Sequence, residues 1–202
     1  GTVIGMTGTN GKTTTTSLTY DIMKRHAKKA LLVGNIEIPY TGYALESDKD
    51  SVTVAEISSF QLETMVTFKP HVTAILNITP DHLERHKTLE NYIAIKESIT
   101  KNQDENDFCV LNYNDPVLRE FGKTPRCKVI FFSSSEELES GVFLRGDTII
   151  IKENGVETPV CTTKDTSLVG MHNYENIMAA IAMTHAMGVP LDTIRQGIKE
   201  FT

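Results

Sequence analysis

The segment of the sequence best suited to chemistry is a glycine-rich stretch, GMTGTNGKTT, at residues 5–14. Triphosphate binding needs backbone N–H groups directed at the phosphates, a helix N-terminus beneath them, a lysine for the β and γ oxygens and a hydroxyl for Mg²⁺. Gly11, Lys12 and Thr13 provide the end of that pattern, although Met6 stands where the strict G-x-x-x-x-G-K-[ST] spacing has its first glycine. Because the stretch lies between a strand pattern and a helix pattern, it favours a phosphate loop over a glycine-rich turn with an exposed lysine.

Further polar residues follow two other strand patterns. Glu56 ends SVTVAE, and Asn77 ends VTAILN with Asp81 and His82 just beyond it. In open α/β sheets, ligands bind outside the carboxyl ends of the strands, and parallel strands bring those ends to one edge. Near a phosphate loop, the Glu56 carboxylate is better suited to ligate Mg²⁺, which prefers hard oxygen ligands, than merely to begin a helix. His82 is a candidate functional residue at the same edge.

The i, i+4 spacing of His82 and His86 also allows a zinc site. The sequence disfavours zinc, because the H-E-x-x-H order is absent and no obvious third ligand follows. Asp81 and Glu84 are instead suited to stabilising a helix start.

Lys96 lies within a helix pattern, LENYIAIKESIT at 89–100, for which Thr88 is a plausible N-cap. The side of the helix that carries Lys96 is otherwise rather apolar. Spacing alone therefore favours a lysine whose stem packs on apolar neighbours while its amine reaches solvent.

These residues require a scaffold that brings them together. Strand and helix patterns alternate, which predicts right-handed βαβ units and an α/β fold: a mostly parallel sheet flanked by helices. Near residue 140 the pattern changes, and turns at 145–147 and 153–155 predict a small antiparallel β insert near 140–162. Predicted strands cover 2–6, 30–34, 51–57, 72–78, 107–112 and 128–133, and predicted helices cover 12–27, 89–100, 173–187 and 190–201.

The composition limits the classes of function. The chain has 202 residues, 40% apolar and 23% charged, which is typical of a globular domain with a substantial core. Its net charge of −6 disfavours non-specific binding to nucleic acid or anionic membranes, and no apolar run approaches a membrane span. The first 36 residues nevertheless carry +4, which suits an anionic ligand. Three cysteines without C-x-x-C spacing predict reduced thiols in the cytoplasm.

With these residues identified, the sequence resembles the central ATPase domain of the Mur ligases, the amide-forming enzymes of peptidoglycan synthesis. The resemblance covers nearly the whole chain, about residues 1–201, and includes a phosphate loop that departs from the strict spacing in the same way. NYIAIK at 91–96 and GMHNYENIMAAIA at 170–182 also match. AEISSFQLE at 55–63 and LNITPDHLERH at 76–86 are more specific and resemble the D-glutamate-adding branch of the family.

The resemblance implies a role for each matching position. Two Mg²⁺ ions would be bound by Thr13, Glu56 and His82. Lys96 matches a lysine that this family carbamylates with CO₂, which turns an ammonium that cannot ligate a cation into an anionic oxygen ligand. Asn35 would face the substrate or metal side, and Asn173 and Asn176 would lie near the adenine. The ATP phosphates would be bound by Gly8, Thr9, Asn10, Gly11, Lys12, Thr13 and Thr14.

The implied activity is ATP-dependent amide-bond formation through an acyl phosphate, with UDP-MurNAc-L-alanine and D-glutamate as substrates. Lys12, Glu56, His82 and Lys96 would be its catalytic residues. We expect a cytoplasmic, monomeric protein. The family's N-terminal UDP-binding domain would precede Gly1 and its C-terminal domain would follow Thr202. Residues 1–202 are then one central domain, which we expect to bind nucleotide and Mg²⁺ but not to catalyse.

One position departs from the family pattern. The family usually continues Gly34-Asn35-Ile36 with glycine, and here Glu37 follows. If that position needs φ > 0, glutamate is disfavoured there, and the role of Asn35 is affected. Alternative functions are those of another Mur ligase, a folylpolyglutamate synthase-like ligase or a P-loop nucleotide-binding module without ligase activity. A regulatory GTPase is disfavoured because the guanine-reading N-K-x-D motif does not occur.

Overall fold

A computed structural model describes residues 1–36 and 38–202. In this part of the chain, nine strands form one sheet: β1 Thr2–Thr7, β2 Lys29–Gly34, β3 Ser51–Glu56, β4 Val72–Ile75, β5 Phe108–Asn112, β6 Lys128–Ser133, β7 Gly141–Arg145, β8 Thr148–Glu153 and β9 Val156–Thr162. Their order across the sheet is β2-β3-β1-β4-β5-β6-β7-β8-β9. Neighbouring strands from β2 to β7 pair in parallel, and β7-β8 and β8-β9 are antiparallel. The predicted mostly parallel α/β fold is confirmed.

Helices cover both faces of the sheet. They are α1 Lys12–His26, α2 Ser59–Leu62, α3 Leu83–His86, α4 Leu89–Glu97, α5 Pro116–Phe121, α6 Met171–Ala186 and α7 Leu191–Glu200, with 3-10 turns at Tyr40–Tyr43 and Ser98–Thr100. On one face, α1, α6 and α7 pack on the larger core cluster. On the other face, side chains of α2, α4 and α5 form the second cluster. The strands therefore contribute alternate residues to two apolar layers.

The antiparallel strands extend the main sheet. β7 pairs in parallel with β6, so the segment predicted as a small insert is the far edge of the same sheet. Both predicted turns are present. Gly146 has φ +61° in the first, and Asn154 and Gly155 have φ +52° and +78° in the second, as two-residue hairpin turns require.

Some boundaries differ from the sequence predictions. β4 ends at Ile75, before the predicted 78, and beyond it the backbone carbonyl of Asn77 accepts a hydrogen bond from Thr9 N at 3.0 Å. The helix predicted over 89–100 ends as α4 at Glu97 and tightens into a 3-10 turn. α5 is not among the predicted helices; Asp115 is its N-cap and accepts hydrogen bonds from Val117 N and Leu118 N.

Two expectations from composition concern the whole described chain. None of the helices within residues 1–36 and 38–202 is both long enough and apolar enough to cross a membrane. The three cysteines, Cys109, Cys127 and Cys161, are free and buried.

Candidate active site

Three neighbouring parallel strands bring the predicted site residues to one edge of the sheet. β1 lies between β3 and β4, with Met6 level with Glu56 and Thr7 level with Ile75. The loop after β1, the last residue of β3 and the loop after β4 therefore meet at the carboxyl edge. The shared edge predicted for the phosphate loop, Glu56 and His82 is present.

The phosphate loop joins β1 to α1 and leaves the start of that helix open. Gly11 is the N-cap of α1, with φ +81° and, among the described residues, no side-chain capping bond. A Cβ at Gly11 would stand 2.3 Å from Asn176 Oδ1, so both the positive φ and the Asn176 side chain disfavour other residues there. The first-turn amides and the helix dipole are thus available to an anion.

The Lys12 side chain folds back along the loop. Its Nζ donates hydrogen bonds to the carbonyl oxygens of Gly8 and Thr9, both at 2.9 Å. Burial lowers the pKa of Lys12 below its ordinary value, and the carboxylates of Glu56 and Asp81 act in the opposite direction. The ammonium therefore lies at the loop, where the β and γ oxygens of a triphosphate are expected.

Glu56 is the buried acid of the site, with 2% of its surface exposed. Its Oε2 accepts a hydrogen bond from Thr13 Oγ1 at 2.8 Å, and its Oε1 accepts one from Asn35 Nδ2 at 3.0 Å. The backbones of Gly34 and Glu56 also lie close together. Glycine at position 34, with φ +109°, permits this, because a Cβ there would lie 2.0 Å from the Glu56 carbonyl oxygen. Thr13, Glu56 and Asn35 are therefore one hydrogen-bonded group. Glu37, the departure from the family pattern, lies outside the described residues.

Lys96 is buried, with 1% of its surface exposed, which makes the solvent-directed interpretation of this lysine wrong. Its Nζ donates to Gly8 O at 2.9 Å and to Thr7 Oγ1 at 3.3 Å, and lies 4.7 Å from the centre of the Tyr92 ring. Burial, assisted by the nearby Lys12 charge, lowers the pKa of Lys96 to about 7. The helix directs this side chain inward because the face that carries it packs on the phosphate loop.

His82 lies at the rim of the same edge, with 46% of its side chain exposed. Its φ of +51° turns the chain into α3, and its ring centre is 5.1 Å from that of Phe60. A cavity of about 120 Å³ joins it to the buried groups; its lining includes Gly8, Lys12, Asn35, Asp81, His82 and Lys96.

The zinc alternative is not supported. His86 is buried, and its two ring nitrogens lie at protein groups: Nε2 is 2.9 Å from Ser59 Oγ and Nδ1 is 3.1 Å from Glu63 Oε1. Within the residues described, no cluster of three or more histidine, cysteine, aspartate or glutamate side chains is arranged to hold a metal. His86 therefore serves packing between α2 and α3.

A second, larger pocket of about 450 Å³ lies on the other side of the phosphate loop. The predicted adenine residues Asn173 and Asn176 are on its wall, together with Thr14. Its remaining lining residues are Asn10, Gly11, Leu76, Asn77, Thr79, Phe132, His172 and Glu175. The structure thus separates a polar edge with the two lysines from a roomier pocket at the start of α6.

Three residues that hold loops at this edge of the sheet are not among the predicted site residues. Thr79 N donates to Thr9 Oγ1 at 3.0 Å, Thr9 Oγ1 donates to Thr79 O at 3.1 Å, and Tyr92 Oη lies 3.2 Å from Thr9 Oγ1. Because the single hydroxyl proton of Thr9 goes to Thr79 O, Tyr92 is the donor to Thr9. Glu175, the third residue, is bonded to neighbours distant in sequence. The motif NYIAIK contains Tyr92, but its apolar spacing suggested only packing.

Comparison with known proteins agrees with this geometry. Residues 6–184 match the family described as Mur ligase middle domain. The UDP-N-acetylmuramoylalanine–D-glutamate ligase of Lachnoclostridium phytofermentans is 50% identical, covering 100% of this chain and 44% of the relative. The protein of the same name from Lachnospira eligens is 48% identical, covering 100% of this chain and 45% of the relative. The chain therefore spans less than half the length of these relatives.

Solved structures show the same fold at low sequence identity. MurF from Acinetobacter baumannii aligns with a TM-score of 0.77 at 23% identity, over 100% of this chain and 46% of that one. MurF ligase from Thermotoga maritima in complex with ADP aligns with a TM-score of 0.72 at 21% identity, over 100% of this chain and 48% of that one. The family match over residues 6–184 spans the phosphate loop, Glu56, His82, Lys96 and the asparagines of α6. The chain belongs to the Mur ligase middle-domain family.

Proposed function

We propose that this chain is the ATP-binding part of an ATP-dependent ligase that joins D-glutamate to UDP-MurNAc-L-alanine. The observation that carries the proposal is the convergence of Lys12, Lys96 and the Thr13–Glu56 pair around the open N-terminus of α1. The substrates are inferred from the names of relatives that are 48–50% identical over the whole chain.

ATP phosphates bind along Gly8–Thr14 in this proposal. The first-turn amides of α1 are the donors, and Lys12 exchanges its bonds to Gly8 and Thr9 carbonyls for phosphate oxygens. An anion at this position compensates the burial that lowers the pKa of Lys12. The adenine occupies the pocket beside Asn173 and Asn176.

The residues at the carboxyl edge fit Mg²⁺. Thr13 provides a hydroxyl and Glu56 a buried carboxylate whose described partners are the neutral Thr13 and Asn35, and both are hard oxygen donors. We propose that Thr13, Glu56 and His82 hold or position two Mg²⁺ ions. When bound, Mg²⁺ supplies positive charge between the triphosphate and the substrate carboxylate, two anions that otherwise repel each other.

Lys96 completes the metal side as a carbamate. At a pKa of about 7, a substantial fraction of its buried amine is neutral at neutral pH, and the neutral amine is the form that adds CO₂. The N–C bond forms, one proton leaves, and the product is an anionic oxygen donor in place of an ammonium. The Tyr92 ring packs against the end of the Lys96 side chain, with its centre 4.7 Å from Nζ, and helps to position that side chain beside the loop.

The reaction proposed for the whole protein has two steps. The L-alanine carboxylate attacks the γ phosphorus of ATP, which releases ADP and forms an acyl phosphate. The amine of D-glutamate then attacks the acyl carbon, and the amide forms as phosphate leaves and the amine loses a proton. Lys12 and the N-terminus of α1 hold the triphosphate in line and stabilise the charge that develops on it.

Phosphate release by the full-length protein tests this proposal. With ATP, Mg²⁺ and UDP-MurNAc-L-alanine present, release is expected to require D-glutamate, and another amino acid in its place is the matched control. Release that requires a different amino acid would move the chain to another branch of the family. The isolated 202-residue chain is expected to bind Mg-ATP without releasing phosphate.

A further inference from the structure

Glu175 is the one acid among the described residues that line the larger pocket. It lies on α6 between Asn173 and Asn176. Its Oε1 accepts hydrogen bonds from Ser134 Oγ at 2.7 Å and Asn114 Nδ2 at 3.1 Å, and its Oε2 accepts one from Asn112 Nδ2 at 3.4 Å. All three donors are neutral side chains, so the carboxylate is held in place with its negative charge uncompensated by them.

The amide of Asn114 must turn its NH₂ group toward Glu175. Ser133 Oγ accepts hydrogen bonds from the backbone nitrogens of Ser135 and Glu136, at 3.3 and 2.9 Å. Both lone pairs of that hydroxyl are then used, so its proton goes to Asn114 Oδ1 at 2.7 Å. With Oδ1 fixed as an acceptor, Nδ2 faces Glu175.

The same reasoning fixes Asn112. Its Oδ1 accepts a hydrogen bond from Asn114 N at 2.9 Å, so its Nδ2 is the atom directed at Leu76 O and at Glu175. Asn112 is buried, with 3% of its surface exposed. The strand ends of β5 and β6 thus present fixed donors to residue 175, and they require an acceptor there.

The side-chain amides of Asn77 and Asn173 on the pocket wall are bonded within the protein. The Asn77 amide bonds the backbone of Asn10: its Oδ1 accepts from Asn10 N at 2.8 Å, and its Nδ2 donates to Asn10 O at 3.1 Å. Asn173 Nδ2 donates to Val169 O at 2.9 Å. By contrast, Oε2 of Glu175 receives a single long bond, which leaves it capacity to accept another.

We propose that Glu175 is a specificity-determining residue of this pocket, where its carboxylate accepts a hydrogen bond from the nucleoside part of the bound nucleotide. The donor is an N–H or O–H group: the exocyclic amino group of adenine or a ribose hydroxyl. The inference rests on the proposed function, since it takes the pocket to hold a nucleotide. A nucleoside that presents a carbonyl, or no donor, leaves the carboxylate unpaired or facing another acceptor, and binds more weakly.

Titration calorimetry on the 202-residue chain with Mg²⁺ tests this. The ligands are ADP, IDP, in which a carbonyl replaces the 6-amino group, and 2′,3′-dideoxy-ADP, which lacks both ribose hydroxyls. We expect IDP or dideoxy-ADP to bind about 10- to 100-fold more weakly than ADP, as for a lost hydrogen bond to a charged group. The ligand that loses affinity identifies the donor.

Glu175→Gln keeps the size of the side chain and an oxygen for Ser134 and Asn114, and replaces Oε2 by an amide nitrogen. This variant is expected to reduce the discrimination to about threefold or less, mainly through weaker ADP binding. Glu139→Gln, which removes a charge from an exposed position, is the matched control and is expected to leave the ratio unchanged. Thermal unfolding checks that both variants fold.

Two outcomes overturn the inference while leaving the proposed function intact: equal affinity of the wild type for ADP, IDP and dideoxy-ADP, or undiminished discrimination by a folded Glu175→Gln variant. If that variant does not fold, equal affinity of the wild type for the three ligands still overturns the inference. No binding of ADP by the folded wild type would overturn both the inference and the proposed function.

Discussion

Lys12 and Lys96 donate hydrogen bonds to the same atom, the carbonyl oxygen of Gly8, each at 2.9 Å. Lys12 comes from the first turn of α1 and Lys96 from α4, so two ammonium groups from different elements converge on one loop. The positive charge of Lys12 contributes to the lowered pKa of Lys96. Such a pair attracts an anion, and it favours the neutral form of the more deeply buried amine.

Replacement of Lys12 tests the phosphate loop. Lys12→Ala is expected to weaken Mg-ATP binding by about 100-fold, because it removes the loop's cation and its charge-assisted bonds to phosphate. Isothermal titration of the 202-residue chain measures this. Lys24→Ala removes a lysine from the exposed end of the same helix and is the control. Equal ATP affinity of Lys12→Ala and the control would contradict the assigned role.

The lowered pKa of Lys96 predicts that stability depends on pH. Below pH 7 the lysine is charged in both the folded and the unfolded state, and the penalty of burying the charge is complete. Between about pH 7 and the ordinary lysine pKa of 10.5, the unfolded state binds more protons, so the free energy of unfolding rises with pH. The rise is at most about 1.4 kcal/mol per pH unit.

Urea unfolding of the wild type and Lys96→Met at pH 7 and pH 9 measures this, in CO₂-free buffer without nucleotide. From pH 7 to pH 9, the free energy of unfolding of the wild type is expected to rise by about 2 kcal/mol relative to that of the variant. Lys101→Met, at an exposed position just after the same helix, controls for loss of a lysine. If the difference in free energy of unfolding between the wild type and Lys96→Met is the same at pH 7 and pH 9, Lys96 is not a titrating buried amine.

Chemical rescue separates the two lysines in the full-length protein. Lys96→Ala is expected to lose ligase activity and to recover part of it with short-chain carboxylic acids, which replace the oxygen atoms of the carbamate. Lys12→Ala is expected to show no recovery, because a carboxylate cannot replace an ammonium. Phosphate release with added acid measures both. Failure of rescue in a folded Lys96→Ala protein would count against the carbamate.

Replacement of Gly11 by alanine is expected to reduce stability through both backbone strain and steric conflict. A comparison with Gly155 separates these two contributions. Gly11 and Gly155 have φ +81° and +78°, but a Cβ meets Asn176 Oδ1 at 2.3 Å only in the first case, and nothing described lies within 4 Å in the second. Gly155→Ala is expected to cost about 1 kcal/mol from backbone strain, and Gly11→Ala about 1–2 kcal/mol more from the steric conflict.

Urea unfolding measures both costs, and Asn176→Ala supplies the control. In the Gly11→Ala background, Asn176→Ala removes the atoms in conflict and is expected to recover the extra cost but not the strain. Equal destabilisation by Gly11→Ala and Gly155→Ala would contradict the predicted steric conflict with the Asn176 side chain.

Features encoded by short segments were predictable. The GMTGTNGKTT stretch, the alternation of apolar strands with helices and the turns at 145–147 and 153–155 depend on glycine conformation, hydrophobic period and neighbouring residues, all readable along the chain. The parallel edge followed from that alternation. The short α5 was missed because a single turn-and-a-half of helix gives little periodicity.

Contacts between distant segments were decided by the tertiary structure. Glu56 meets Thr13 across 43 residues of sequence and Asn35 across 21, and Glu175 meets Asn114 across 61. Spacing made Lys96 a surface lysine, and only the resemblance to a family suggested otherwise. The sequence by itself determined which residues could bind phosphate and in what fold; packing decided which way Lys96, His86 and Glu175 point, because a helix offers a side chain to whatever element lies beside it.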